Sequence, residues 1–403
     1  MLRLETIGLG LAARYGYQPI ETPLFEQTAV FERGIGEVTD VIEKELFRLA
    51  PRSEDGETWA LRPEPTAGIV RAYVQHGMQT LPQPVKLVLV GPMFRYDRPQ
   101  AGRYRQFWQF DIEAIGDPGP AVDAEIIELG SRFYRDAGVE GVAVLVNSIG
   151  DSACRPAYIE ELKAYFRPHA ASLPDIERDR LERNPLRLLD SKDPAMTALN
   201  AAAPRITDRL CGPCADHFRS FQDHLRALEI PFRLEPGLVR GLDYYTRTVF
   251  EVWPPEVGGQ STLGGGGRYD GLAEQLGGRP TPGVGFATGL ERILLNLERQ
   301  AQTKEGQATE LTFLVPLGQP ARLELQKLAD QLRSGGCAAV LAVGERSLRA
   351  QLRQANALGA RWAVIAGDQE LESRSVSLRD LASGEQESVP LDGAVARMAG
   401  QSQ

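Results

Sequence analysis

No run of eighteen consecutive apolar residues occurs in this chain, and no basic segment followed by an apolar one opens it. A membrane span and a secretory signal are therefore not expected. Cysteine is scarce: Cys154, Cys211, Cys214 and Cys337 are the four. Without an export signal, a cytoplasmic, reducing setting with free thiols is expected. There is no excess of positive charge either. The formal net charge of −9 argues against a protein that simply coats nucleic acid, and no role on DNA is expected. RNA binding stays open, because local patches matter more than the sum. No Ser/His/Asp or Cys/His arrangement signals covalent catalysis. What is present is ordinary for a soluble globular protein, with 42% apolar and 25% charged residues. A length of 403 residues implies two or three domains.

The most informative stretch runs from Leu238 through Arg240, Asp243, Tyr244, Tyr245 and Arg247 to Glu251, and Gly264-Gly-Gly-Gly-Arg-Tyr-Asp-Gly271 follows it. The first part is β-branched and aromatic and reads as a strand with a functional face. Strict alternation places Tyr245, Arg247, Val249 and Glu251 on one side, and Tyr244, Thr246, Thr248 and Phe250 on the other. The glycine run lets backbone approach something bulky. It lies between a strand pattern and a helix pattern at 270–276, the place for a ligand-contacting turn.

Elsewhere, Leu4, Ile7, Leu11 and Tyr15 have helical spacing ended by Gly16. A short strand ends at Glu64 and a helix runs over about 65–76, so Glu64 stands where a carboxylate often serves only as a cap. An apolar strand at 85–94 leads into a loop with Arg95, Arg98, Arg103 and Arg105, then a return strand. In that strand Phe107, Gln109, Asp111 and Glu113 share one face, and Trp108, Phe110, Ile112 and Ala114 the other. The second face is apolar and is expected in the core; the first should line a cleft. A helix is expected at 123–137 and a strand at 142–146. Residues 151–230 read as a helical, polar module broken by prolines. Cys211-Gly-Pro-Cys214 within it supplies two of the four ligands a zinc site needs, and only His217 and His224 are near in sequence. Two free thiols at a helix start are the preferred reading, and no metal is assigned to side chains. At 282–293 a strand, a glycine and a helix from about Gly289 carry Arg292. Residues 299–310 read as a linker. Beyond it, strands at 311–317, 338–343, 362–366 and 375–381 alternate with helices at 323–334 and 347–358, a small α/β domain. Arg346, Arg349 and Arg353 share one face of its second helix.

The Leu238–Glu251 and Gly264–Gly271 stretches closely resemble the two histidine-specific signatures of the histidyl-tRNA synthetase family. The segments at 31–45, 94–109 and 282–293 resemble, in order, the three motifs of class II synthetases. The resemblance covers nearly the whole chain. It implies an α+β catalytic domain with an antiparallel sheet flanked by helices at 1–150 and 231–298, a helical insertion at 151–230, and an anticodon-binding α/β domain at 311–403. It also implies a homodimer formed through the first motif. Residue by residue, Arg95 and Arg240 are the catalytic cations, with Arg95 on the α-phosphate and the substrate carboxylate. Glu64 and Thr66 bind the substrate amino group. Gln109, Glu113, Arg240, Tyr244, Tyr245 and Tyr269 complete the histidine site. Arg95, Asp97, Arg103, Phe107 and Arg292 bind ATP, with Phe107 and Arg292 stacking on adenine. Gln100 and Arg105 touch the acceptor end of tRNA(His).

The sequence departs from the family at Pro65 (usually glycine), Asp97 (usually glutamate) and Trp108 (usually histidine). Proline is tolerated at a first helical position, so the helix should survive. Trp108 falls on the core face, where packing changes and chemistry does not. Family members also carry a short strand and an Arg-Gly-x-x-Asp-like element ahead of the first helix. Here Met1 is already at that helix, so either the start lies upstream or the element is absent. The implied reaction joins histidine and ATP to histidyl-adenylate and transfers the histidyl group to tRNA, with Mg²⁺ accompanying the nucleotide. A rival is a non-catalytic regulatory subunit that senses histidine; such relatives lack the catalytic arginine and the C-terminal domain. A third reading is an RNA-independent amino-acid-activating ligase.

Overall fold

The computed structural model describes residues 1–36, 39, 41–50, 56–97, 102–254, 262–301, 311–344 and 346–399. The chain forms two compact units, Met1–Gln300 and Ala301–Gln403.

The strands of the first unit are β1 (Gln18–Pro19), β2 (Phe25–Gln27), β3 (Trp59–Leu61), β4 (Val85–Phe94), β5 (Gln106–Ile115), β6 (Ala143–Ser148), β7 (Phe232–Leu234), β8 (Thr246–Trp253), β9 (Gly264–Arg268) and β10 (Gly283–Gly289). Eight of them make one sheet in the order β1-β4-β5-β10-β9-β8-β6-β7, and β2 pairs with β3 separately. All neighbours in the large sheet are antiparallel except the two edge pairs, β1–β4 and β6–β7. This is the expected α+β arrangement, mixed only at its rims.

The alternation of β5 decides what each sheet face does. Phe110, Ile112 and Ala114 point into an apolar core with Phe133 and Tyr134 of the helix Pro120–Ala137 and Leu4 and Leu11 of the helix Leu2–Arg14. Trp108 packs against the same core, as its parity requires. Its backbone N–H donates to both carboxylate oxygens of Glu291, at 2.9 and 3.0 Å. The opposite face carries Gln109, Asp111 and Glu113, all buried. The first helix ends as its spacing indicates, with Gly16 in the left-handed region at φ 81°.

Two expectations need correction. The glycine run is not a turn: 264–268 is β9, paired on both sides in the middle of the sheet. Glycines are poor strand formers alone, but two neighbouring strands supply the ladder, and side chains from elsewhere cover the bare backbone. The strand expected from Leu238 begins only at Thr246, and its register shifts between Thr246 and Val249. Arg247 at the shift has φ 50°. Such a bulge inserts an unpaired residue and resets the alternation. Tyr244 and Tyr245, assigned to opposite faces, are both buried on the same side of the sheet.

Within 151–230, helices occur at Arg155–Phe166, Asp175–Arg183, Thr197–Ala202 and Gly212–Ala227. Tyr158, Leu162 and Phe166 join the core on the site side of the sheet, and Phe218, Phe221 and Leu225 join the opposite core.

The second unit has β11 (Thr312–Pro316), β12 (Ala339–Leu341), β13 (Trp362–Ala366), β14 (Ser375–Asp380) and β15 (Gln386–Pro390) in the order β12-β11-β13-β14-β15. The first three in that order are parallel and the last two antiparallel. β15 escapes sequence reading because only Val389 of its residues is buried, which leaves no apolar pattern. Arg346 precedes the helix Leu348–Ala357, and Arg349 and Arg353 lie on it; all three are exposed. The linker expected at 299–310 starts too early, since the helix Leu290–Ala301 runs through its first residues, and 302–310 lie outside the described residues.

Candidate active site

The site forms on the polar face of the large sheet and has two halves, one of buried carboxyl groups and tyrosines and one of arginines. In the acidic half, Glu64 caps the helix Thr66–Gln75: its carboxylate accepts the backbone N–H groups of Thr66 at 2.8 Å and Ala67 at 2.9 Å. Pro65 sits at the N-cap position and the helix is intact behind it. The Tyr244 hydroxyl lies 3.4 Å from Glu64 Oε2, and the Tyr269 hydroxyl donates to Glu113 Oε2. Tyr244 packs on Tyr245 with ring centroids 4.6 Å apart and meets Tyr269 edge-on at 5.8 Å. Gln109 is buried, and its Oε1 has no hydrogen-bond partner among the described residues.

Three carboxyl groups share this low-dielectric space. Burial pushes Glu64 above the usual carboxylate range, and the N–H groups of its helix offset this only in part. Burial raises Glu113 to about 8, against hydrogen bonds from Thr66 and Tyr269. Asp111 is raised well above its ordinary value by burial, then by the charges of Glu113 and Glu64. Asp111 was absent from the sequence-derived site set. The signal was available, since the alternation of β5 already put it between Gln109 and Glu113.

The basic half begins at Arg95, whose Nε donates to the Pro63 carbonyl at 2.8 Å and whose guanidinium lies 5.4 Å from the Phe107 ring. Arg103 pairs with Asp97 at 3.2 Å. Arg292 donates to the carbonyls of Gly102 and Thr262. Burial lowers the pKa of Arg292, and the charges of Arg103 and Arg95 lower it further. Three like charges held this close call for an anion. Arg105 lies over the Tyr96 ring at 4.1 Å and is exposed. Gln100 and Arg98 lie outside the described residues.

Arg240 comes from the loop ahead of β8. Asn147 of β6 fixes this loop by donating to the carbonyls of Pro236 and Leu238 at 3.2 and 3.0 Å. Arg155 holds the Tyr245 carbonyl at 2.8 Å. The Arg240 guanidinium donates to Glu251 at 2.6 Å and lies 5.8 Å from the Tyr245 ring. Burial works against its charge, but Tyr245 and Glu251 outweigh this and raise its pKa. The guanidinium also crosses β9 directly: a Cβ on Gly265 would stand 2.8 Å from its Nη1. The glycine run does permit a bulky group to approach backbone, and among its neighbours is the protein's own arginine.

Chemically, one half suits a cationic, hydrogen-bonding small molecule and the other a polyphosphate, with Arg95 between them. Histidine and ATP fit this division.

Comparison with known proteins agrees. A family model described as histidyl-tRNA synthetase matches residues 3–293, and one described as anticodon binding domain matches 312–401. A histidine–tRNA ligase of Dehalococcoides mccartyi (strain 195) is 49% identical over 382 residues, covering 95% of this chain and 91% of the relative. The corresponding ligase of Moorella thermoacetica is 47% identical over 392 residues, covering 97% and 92%. The crystal structure of apo S. aureus histidyl-tRNA synthetase superposes with a TM-score of 0.78 at 36% identity, covering 98% of this chain and 95% of that one. A Bacillus halodurans structure titled as an ATP phosphoribosyltransferase regulatory subunit/histidyl-tRNA synthetase shares the fold, with a TM-score of 0.64 at 22% identity over 91% and 94% of the chains. With a family model spanning well over half its length and relatives near half identity, this chain belongs to the histidyl-tRNA synthetase family.

Proposed function

We infer that this chain is a histidine–tRNA ligase, which joins histidine and ATP into histidyl-adenylate and then passes the histidyl group to the 3′ end of tRNA(His). The observation that carries this reading is the abutment of a buried acid-and-tyrosine half and a three-arginine half at Arg95.

The first step brings two anions together: the histidine carboxylate attacks the α-phosphorus and pyrophosphate leaves. Negative charge grows on the phosphorus oxygens, and fixed cations aimed there lower the barrier. Arg95 and Arg240 take this role, since a guanidinium fork matches phosphate and carboxylate geometry. Glu64 and Thr66 take the ammonium. Gln109, Glu113, Tyr244, Tyr245 and Tyr269 surround the rest of the amino acid with donors and acceptors. A polar site of this kind rejects analogues lacking the matching groups far better than an apolar one. Phe107, Arg292, Asp97 and Arg103 hold the nucleotide. Mg²⁺ enters as part of the ATP complex, bound by phosphates and water. The second unit grips the anticodon, and Arg346, Arg349 and Arg353 are among its exposed cations.

The regulatory-subunit reading shares the fold but has no use for Arg240 or for the second unit. Pyrophosphate exchange dependent on histidine, with the other nineteen amino acids as controls, decides between them. Exchange with histidine alone is the expected result, and none with any amino acid favours the regulatory reading. Measured by exchange and by aminoacylation side by side, Arg105→Ala should leave exchange near normal and impair aminoacylation, the result expected if the exposed Arg105 touches the acceptor end and not the adenylation site. Equal impairment of both steps contradicts that role.

Leu24, Phe25 and Leu49 are exposed around the small β2–β3 sheet. An apolar face of this kind supports a homodimer, which sedimentation at assay concentration would detect or refute. No described helix is long and apolar enough to cross a membrane. The cytoplasm is the proposed location, where the tRNA substrate is found.

A further inference from the structure

Three of the four cysteines converge at a point that spacing alone does not reveal. Cys211 and Cys214 open the helix Gly212–Ala227, and Asp151 and Cys154 precede the helix Arg155–Phe166. One donor atom from each of these four residues lies within 4.8 Å of the other three. Two edges are resolved: Asp151 Oδ1 to Cys154 Sγ at 3.7 Å, and Asp151 Oδ1 to Cys211 Sγ at 4.0 Å. A tetrahedron with metal–sulfur bonds of about 2.3 Å has donor separations of roughly 3.8 Å. The sequence reading lacked two of four ligands; folding brings them from sixty residues upstream.

We propose that Asp151, Cys154, Cys211 and Cys214 form a structural zinc site. The donor set decides the metal: soft thiolates with one carboxylate suit zinc and do not suit magnesium or calcium. Four protein ligands leave no open position, so the role is structural and not catalytic. The surroundings are built for the cluster. Cys154 and Cys214 are buried. The other oxygen of Asp151 is held by Arg247 at 3.2 Å, the kind of outer contact that orients a metal-binding carboxylate. Gly150 sits at φ 65°, and a Cβ there would stand 2.7 Å from Cys154 Sγ. The Arg247 and Arg155 guanidinium groups offset the negative charge of the ligands.

The position explains what the ion would do. It would tie the first helix of 151–230 to the last. Through Arg247 at the β8 bulge, and Arg155 on the Tyr245 carbonyl, it would brace the turn that delivers Tyr244 and Tyr245.

The test is the metal content of the full chain, expressed with added zinc and purified reduced and without chelator. About one zinc per chain is expected in the wild type and in Cys337→Ser, and less than about one-tenth in the double variant Cys211→Ser/Cys214→Ser. Should the double variant not fold, thiol labelling of the wild type decides: Cys337 alone should react until a chelator exposes three more thiols and lowers the melting temperature. Cobalt in place of zinc should show thiolate-to-cobalt charge transfer. A metal-free wild type with four reactive thiols, a Cys211–Cys214 disulfide, or zinc retained by a folded double variant each overturns the proposal. These readouts are independent of aminoacylation, so they stand whatever the exchange assay shows.

Discussion

Arg240→Ala should lower the turnover of histidine-dependent pyrophosphate exchange by roughly 10²–10³, the effect of losing one preorganised transition-state donor. The fold should survive the change. Glu251, the partner of Arg240, keeps hydrogen bonds from Trp253 Nε1 at 2.8 Å and Thr262 Oγ1 at 3.1 Å. The loop is anchored by Asn147 and Arg155 and not by Arg240 itself. A near-normal melting curve with a collapsed kcat is therefore the expected pair of results. Arg240→Lys keeps the charge but loses the planar fork, and should recover only part of the rate. Near-normal turnover in the alanine variant would remove Arg240 from the chemistry.

Glu113→Gln should raise the KM for histidine by about 10–10²-fold, the range for a lost hydrogen bond to a charged group. Its effect on the free protein should have the opposite sign. With a pKa near 8, Glu113 is mostly protonated at neutral pH, and glutamine closely imitates that form. The sign follows from linkage. The folded state binds this proton more tightly than the unfolded state, whose carboxyl titrates near 4.5. Stability due to Glu113 is thus fully present below about 4.5 and is lost as pH rises through about 8. Coupling to Asp111 broadens the transition. Without histidine, the glutamine variant should melt close to wild type at acid pH and above it beyond pH 8. Melting temperatures of both proteins across this range check it. A difference that does not grow with pH would show that Glu113 is not buried in the protonated form. The pocket is built at a cost in stability and relieved when a cation enters.

Much of this was legible from residue order. The β5 alternation separates Phe110, Ile112 and Ala114 from Gln109 and Glu113 because side-chain direction in an extended chain is a local property of period two. The same rule failed three strands away in the sheet. Ahead of β8, Tyr244 and Tyr245 lie in a turn and not in the strand, so alternation does not apply to them and both are buried on one side; no propensity in Tyr-Tyr-Thr-Arg-Thr announces this or the bulge at Arg247. The glycine run was read as a turn because glycine alone favours one. Its strand state depends on β8 before it and β10 after it, which supply its hydrogen bonds from both sides.

The sequence by itself determined the order of the motifs and the two-faced return strand, since these rest on residue type and local spacing; the roles of the candidate site residues come from the family resemblance. Tertiary structure alone decided three things. It gathered three carboxyl groups into one buried space and raised their pKa values, because desolvation depends on everything packed around a group. It laid Arg240 across the bare backbone of Gly265. It also brought Asp151 and Cys154 to Cys211 and Cys214, a meeting of two helix starts that no spacing rule encodes.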